Sequence, residues 1–279
     1  MKFLLSGFAD EAGVTIEEQM DALEKNSVKF IEMRAVNGKH VLQWDDAALT
    51  VIKCKMDKRG FALSAIGSPV GKSSITDPFD ADLERFKRAV YCAKFFGCKY
   101  VRAFSFYPPK EGNREEYWGE AMRRVKEMVA IAEGNGVIFA LENESGIFTD
   151  KLEPCIRFFE ELKSPALCMA LDPGNFVHNG VEPYPEAYNA LKGYIGYFHI
   201  KDAIADKFVP SGEGDSNMAA LLKAAYGGGF NGFLSVEPHL NYMADLTKAQ
   251  QFTVACNALK KTLNNGLNAN LELTDINSV

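Results

Sequence analysis

Eight apolar runs of strand length alternate with helix-period segments along the chain, with no linker between them, and this pattern predicts a single (β/α)8 TIM barrel. Two further observations favour a barrel over an open, doubly wound sheet. The long connections, 67–80, 105–113 and 203–216, all follow strands, where barrel enzymes build their sites, and the connections before strands are short. The stretch Ser6-Gly7-Phe8-Ala9-Asp10-Glu11, at the end of the first strand, is not the Gly-rich phosphate loop that an open sheet usually carries there.

The first strand is read at Phe3–Phe8. Its short apolar run resembles a signal peptide, but Asp10-Glu11 follows at once and no cleavage-site pattern is present, so a cytoplasmic protein is expected. Further strands are placed at 28–33, 61–66, 99–104, 137–142, 167–172, 195–200 and 232–237. Helical patterns lie between them. Segment 15–25 opens with a capping box, Thr15 and Glu18, ahead of Ile16, Met20 and Leu23. Segments 45–59, 81–96 and 114–133 end at Gly60, Gly97 and Gly134. Segments 151–162, 185–191 and 217–226 follow, and 245–263 is stopped by Asn264-Asn265-Gly266. The expected organisation is a barrel over residues 1–264 and a polar tail over 265–279.

The 47% hydrophobic and 24% charged residues are those of an ordinary globular chain. A net charge of −6 gives no support to a nucleic-acid-binding surface. No apolar run is long enough to span a membrane. The six cysteines, Cys54, Cys92, Cys98, Cys155, Cys168 and Cys256, form no C-x-x-C pair and read as reduced thiols, mostly in the core.

Four strands in the second half end on a residue able to hold a metal: Glu142, Asp172, His199 and Glu237. Strand side chains alternate between faces, so the positions two residues earlier, Ala140, Ala170, Tyr197 and Ser235, share their inward face. Leu141, Leu171, Phe198 and Val236 then face the helices. One acid at a strand end is usually a cap or an ion-pair partner; four at matching depth can converge. Three carboxylates and an imidazole suit Mn²⁺ best, with Mg²⁺, Co²⁺ and Zn²⁺ also accommodated.

The motifs Leu141-Glu142-Asn143, Leu171-Asp172-Pro173-Gly174-Asn175-Phe176, His199-Ile200-Lys201-Asp202 and Ser235-Val236-Glu237-Pro238 resemble those of the xylose isomerase-like sugar isomerase/epimerase superfamily. The loop Pro210-Ser211-Gly212-Glu213-Gly214-Asp215 is similar as well, and the likeness extends to about Leu263. The resemblance implies Glu142, Asp172, His199 and Glu237 as ligands of one divalent ion, with Glu142 and Glu237 also moving protons. Two departures stand out. The ketose 3-epimerases have a histidine where this chain has Asn175, and an arginine shortly after the histidine motif, where 203–206 offers none. The endonuclease IV branch uses many more histidines than the four present, so DNA repair is not expected.

The chemistry expected is abstraction of a proton next to a carbonyl polarised by the ion, through an enediolate. Isomerisation, epimerisation and elimination share that first step, so a metal-dependent lyase or dehydratase on a keto-sugar or ketoglycoside is the alternative. A barrel serving as a metal-binding, non-catalytic subunit is a second alternative. Glu32 and Arg34 share one face of the second strand and are expected to bind sugar hydroxyls; a buried ion pair is the rival reading. Arg102 and Lys201 carry the same ambiguity. Glu144, Asn175 and His239 are further candidates for substrate contact, and His178 lies in a loop near the site. Ser105-Phe106-Tyr107-Pro108-Pro109 with Trp118 is a candidate apolar wall for a sugar ring or aglycone, with core packing or a subunit contact as the rival. The loop after the seventh strand carries Glu213 and Asp215 and little positive charge, which argues for an unphosphorylated substrate. The partners expected are a small sugar or keto-sugar, without nucleic acid or membrane; a homo-oligomer is compatible with the sequence.

Overall fold

The computed structural model describes residues 3–267, and its sheet closes into a barrel of eight parallel strands. These are β1 (Phe3–Phe8), β2 (Phe30–Met33), β3 (Ala62–Gly67), β4 (Tyr100–Ala103), β5 (Ile138–Glu142), β6 (Leu167–Leu171), β7 (Ile195–Ile200) and β8 (Gly232–Val236). Each pairs with the next in chain order, and β8 returns to β1 in the register Phe3↔Gly232 to Gly7↔Val236.

The period-2 alternation separates two cores. Ala65, Ala140, Ala170 and Tyr197 pack together inside the barrel. Leu141, Leu171, Phe198 and Val236 belong to the larger core between barrel and helices, on the outward face the alternation predicts. The β2–β3 register shifts after Ile31↔Leu63 to Glu32↔Ala65, so Ser64 is the extra residue of a bulge.

The helices are α1 (Ile16–Lys25), α2 (Asp46–Lys58), α3 (Asp80–Phe96), α4 (Trp118–Gly134), α5 (Leu152–Glu161), α6 (Pro173–His178), α7 (Tyr188–Leu191), α8 (Met218–Gly227) and α9 (Lys248–Leu267). The capping box of α1 forms: the Glu18 N–H donates to Thr15 Oγ1 at 3.2 Å and the Thr15 N–H to Glu18 Oε2 at 2.9 Å. Three expected ends differ. Gly134 lies in the last turn of α4, and the left-handed residue is Gly136, at φ +67°. In place of one helix over 185–191, a kinked turn at Pro183–Ala187 leads into α7. α9 runs through Asn264-Asn265-Gly266. Gly266 lies so close to α8 that a Cβ there would stand 3.0 Å from the Ala219 carbonyl oxygen. That close packing outweighs a Gly helix penalty of about 1 kcal/mol. Residues 265–267 of the expected tail are therefore helical, and 268–279 lie outside the described residues. Among the described residues no helix is long and apolar enough to cross a membrane.

Two antiparallel hairpins, neither foreseen, follow strands of the barrel. Ala35–Val36 pairs with Lys39–His40 after β2, and Asp202–Ile204 with Lys207–Val209 after β7. The first is tied down by His40. Its Nδ1 accepts the Leu42 N–H at 3.2 Å, so the ring proton sits on Nε2, 3.3 Å from the Gly67 carbonyl oxygen at the end of β3. A second proton would face the Leu42 N–H. Burial, with Arg102 and Arg34 near, pushes His40 down to about 4.

Because the folded pKa lies below the unfolded 6.5, the unfolded chain binds the proton first. His40 thus contributes stability that is present above pH 6.5 and is lost as the pH falls toward 4. Urea titrations at steps across this window are expected to show a steeper loss for the wild type than for His40→Gln. Equal slopes would remove this assignment.

Candidate metal centre

Glu142 ends β5, Asp172 follows β6, His199 is the penultimate residue of β7 and Glu237 follows β8. All four are buried, and one ligand atom from each lies within 4.8 Å of the others. They meet at the C-terminal mouth of the barrel because each stands at the same end of a parallel strand.

Each is held differently. Asp172 caps α6: its Oδ1 accepts the Asn175 N–H at 2.8 Å, leaving Oδ2 for the cluster. Its backbone is clasped by the Asn143 amide, which donates to Asp172 O and accepts from Asp172 N, both at 2.8 Å. Residue 174 has to be glycine, since a Cβ would stand 2.9 Å from the backbone of Lys201. Glu142 is approached by Arg102 Nη1 at 3.3 Å, His199 Nδ1 at 3.0 Å and the Asn175 amide at 3.4 Å. Glu237 has Lys201 Nζ at 2.8 Å, Arg34 Nη1 at 3.5 Å and His239 Nε2 at 3.4 Å. Lys201 also reaches Asp172 Oδ2 at 2.8 Å.

The mouth and the layer just beneath it carry seven carboxylates, Asp10, Glu11, Glu32, Glu142, Glu144, Asp172 and Glu237, against four permanent cations, Arg34, Lys72, Arg102 and Lys201. Burial pushes Asp172 up to about 7, against the pull of Lys201. Burial also opposes ionisation of Glu142, but His199 and Arg102 outweigh it and bring that carboxyl to about 2. Lys201 and His239 likewise overcome burial at Glu237 and hold it well below the usual range. His199 would be depressed by burial, yet Glu142 and Glu32 hold it well above 6.5.

A divalent ion fits this set. Asp172 Oδ2 and His199 Nδ1 are buried within the cluster and meet Lys201 and Glu142 only as ion pairs, without a hydrogen bond of good geometry. The donors are three carboxylates and one imidazole, and the local charge is short of positive.

The remaining predicted residues divide. Arg102, Lys201 and Asn175 come to the cluster, each engaged with one of its acids. Glu32 points inward as expected, but it is fully buried against His199 Nε2 at 3.2 Å, behind the ring rather than at the open mouth where a sugar hydroxyl would meet it. Arg34 is a partly open rim residue, paired with Asp10 at 2.7 Å and Glu11 at 3.1 Å. Glu144 stands at the rim with Lys72 at 2.7 Å, and His239 bridges Glu11 and Glu237. The expected aromatic wall does not form as such. Phe106 is fully buried against Phe79, and Trp118 packs on Phe158 with centroids 4.7 Å apart, so the core claims both rings.

Sequence reasoning missed four groups. Asp10 and Glu11 lie on a 3-10 turn after β1, where no periodicity marks them. Phe8 packs edge-on to His199 at 5.1 Å; its parity with Ser6 on β1 was the available signal. Phe208, on the second hairpin, lies over the Lys201 ammonium at 5.0 Å and touches the rings of His178 and His239 at 5.7 and 5.3 Å. Asn143 carries no signal in the sequence beyond its place after Glu142.

Residues 20–260 match the family model of the xylose isomerase-like TIM barrel. Among solved structures, the chain is similar to the IOLI protein with a bound zinc atom, with a TM-score of 0.80 and 19% identity over 96% of this chain and 100% of that one. It is similar to a D-tagatose 3-epimerase-like protein, with a TM-score of 0.76 and 18% identity over 95% and 98%. It is also similar to the probable 3-DHS dehydratase AsbF involved in petrobactin synthesis from Bacillus anthracis, with a TM-score of 0.72 and 16% identity over 91% and 98%. At these identities the likeness is one of fold.

Lys201→Met leaves Asp172 and Glu237 without their shared counter-ion. Breaking a buried pair of this kind costs about 3–5 kcal/mol. In chelator the variant is expected to melt well below the wild type, and excess Mn²⁺ to recover part of the difference. A chelated melting point equal to that of the wild type would show that the ammonium is not needed to hold the two acids.

Proposed function

This chain belongs to the xylose isomerase-like TIM barrel family, and we propose that it acts there as a divalent-metal-dependent sugar isomerase or epimerase. In this reading Glu142, Asp172, His199 and Glu237 hold the ion, Mn²⁺ by preference, and Glu142 and Glu237 move protons. The observation that carries it is the pairing of two buried glutamates across one cluster, on strands separated by β6 and β7.

Bound there, a divalent ion supplies Lewis-acid polarisation of the substrate carbonyl and offsets the charge of the enediolate. The protein supplies the rest. Glu237, kept ionised by Lys201 and His239, accepts the proton from the carbon beside the carbonyl. Glu142 stands on the other side, so one carbon flanked by both is epimerised. A proton carried between adjacent carbons by one of them gives isomerisation instead. Asn175 fixes the orientation of Glu142 through its amide, which also donates to the Asn143 carbonyl at 2.9 Å.

The substrate we favour is neutral. Arg34, Lys72, Arg102 and Lys201, the cations around the mouth, are each engaged by a carboxylate. A phosphate would have to break one of those pairs. Phe208, over the Lys201 ammonium, offers an apolar face to a sugar ring. Free cysteines throughout the described chain agree with a cytoplasmic enzyme of carbohydrate metabolism. A dehydratase is the second reading. The ammonium of Lys201 and the ring of His239, both beside Glu237, can donate to a departing hydroxyl, and a probable dehydratase shares the fold.

Incubation of the Mn²⁺-loaded protein with ketoses and keto-sugars in D₂O, followed by NMR after metal removal, is expected to show deuterium beside the carbonyl. The labelled position separates epimerase from isomerase, and an unsaturated product identifies the dehydratase. Glu237→Gln is expected to lower turnover by roughly 10²–10⁴-fold with the fold retained. Wild-type turnover in a folded, metal-loaded variant would sink the role of Glu237.

A further inference from the structure

Glu32 is a buried acid with no part in the proton chemistry above. It is fully buried on β2, and its Oε1 lies 3.2 Å from Nε2 of His199. Glu142 lies 3.0 Å from the other nitrogen, Nδ1. The imidazole is held between the rings of Phe8 at 5.1 Å and Tyr197 at 5.6 Å, both edge-on, at 71° and 84°. Its two nitrogens therefore face different acids and cannot exchange places by a small rotation. A neutral imidazole has one N–H and one lone pair, and an ionised carboxylate can only accept. When Nδ1 gives its lone pair to an ion in the cluster, the N–H is left on Nε2, facing the Glu32 carboxylate at 3.2 Å.

Beneath Glu32 the barrel interior carries hydroxyls where apolar groups would cost less to bury. The Tyr197 hydroxyl donates to Ser64 Oγ at 2.8 Å. Ser64 Oγ lies 2.5 Å from Ser6 Oγ, which donates to the Phe30 carbonyl oxygen at 3.3 Å. Ser6, Ser64 and Tyr197 are each no more than 1% exposed. Ser64 is the extra residue of the β3 bulge, and the bulge is what lets both Ser64 and Ala65 serve the interior.

We propose that Glu32 is the positioning residue of the metal centre: it fixes the orientation and the Nε2–H tautomer of His199, whose ring Phe8 and Tyr197 hold from either side. This rests on the metal reading given above. It follows that Glu32 acts through His199 and touches neither ion nor substrate. Carboxylates placed behind a ligating imidazole in this way typically change metal affinity by about 10–100-fold when removed.

The test uses Zn²⁺, which is diamagnetic. Affinity is measured by calorimetry, and the protonation pattern of His199 is read from long-range ¹H–¹⁵N spectra of the zinc-loaded chain. Glu32→Gln can turn its amide N–H₂ toward Nε2, which favours the tautomer that cannot bind. It is expected to bind zinc roughly 10–100-fold more weakly and to alter the His199 signals. Glu32→Asp, which keeps the carboxylate but draws it back from Nε2, is expected to weaken binding by a smaller factor, and it carries the test if Glu32→Gln does not fold. A merely structural role would lower the melting temperature and leave the His199 pattern as in the wild type. Wild-type affinity and wild-type His199 signals in the folded variants would overturn the proposal alone. A wild-type chain that binds no zinc would overturn the metal reading and this inference with it.

Discussion

Carboxylates withdrawn from water repel one another, and the mouth of this barrel is arranged around that repulsion. Almost every cationic group there stands between acids. Lys201 lies between Asp172 and Glu237, His199 between Glu32 and Glu142, His239 between Glu11 and Glu237, and Arg34 among Asp10, Glu11 and Glu237. These shared partners couple the acids, so a charge altered at one is felt at the next. The arrangement also places the site where the barrel can support it: small side chains at Ala140 and Ala170 lie one level below, and the hydroxyls of Ser6, Ser64 and Tyr197 continue the polar path inward.

The part of this arrangement legible in the sequence is the part governed by strand parity. A period of two fixes which residues face inward, and a parallel barrel fixes which end they reach. The gathering of Glu142, Asp172, His199 and Glu237 follows from those two facts, as does the outward set from Leu141 to Val236. β1 and β7 fall where the apolar runs begin and end. Two-residue strands such as Ala35–Val36 have no period to read, and α6 is announced only by a capping aspartate and a proline. The end of α9 depends on a contact with α8, which no local signal contains. In the site, the inward direction of Glu32 was readable, but its partner His199 is 167 residues away in sequence. Phe106 and Trp118 show the converse. Aromatic residues after a strand suggested a wall for a sugar ring, and the demand of the outer core for large side chains took them instead.

The two glutamates are alike in charge and unlike in access. Glu142 is enclosed by Arg102, His199 and Asn175, all buried. Glu237 borders His239, whose side chain is 33% exposed. Glu237 therefore lies nearer to solvent than Glu142 does.

The hairpin carrying Phe208 has a consequence for how such a barrel changes over time. Asp202 anchors its base, accepting backbone N–H groups from Ala203, Gly212, Gly214 and Ser216, and the strands then pair only with each other. Its tip at Ala205 and Asp206 can therefore lengthen, shorten or change composition without shifting the barrel register or the charges below it. Selection for a new molecule at the mouth can rewrite this ribbon while the buried chemistry is inherited unchanged.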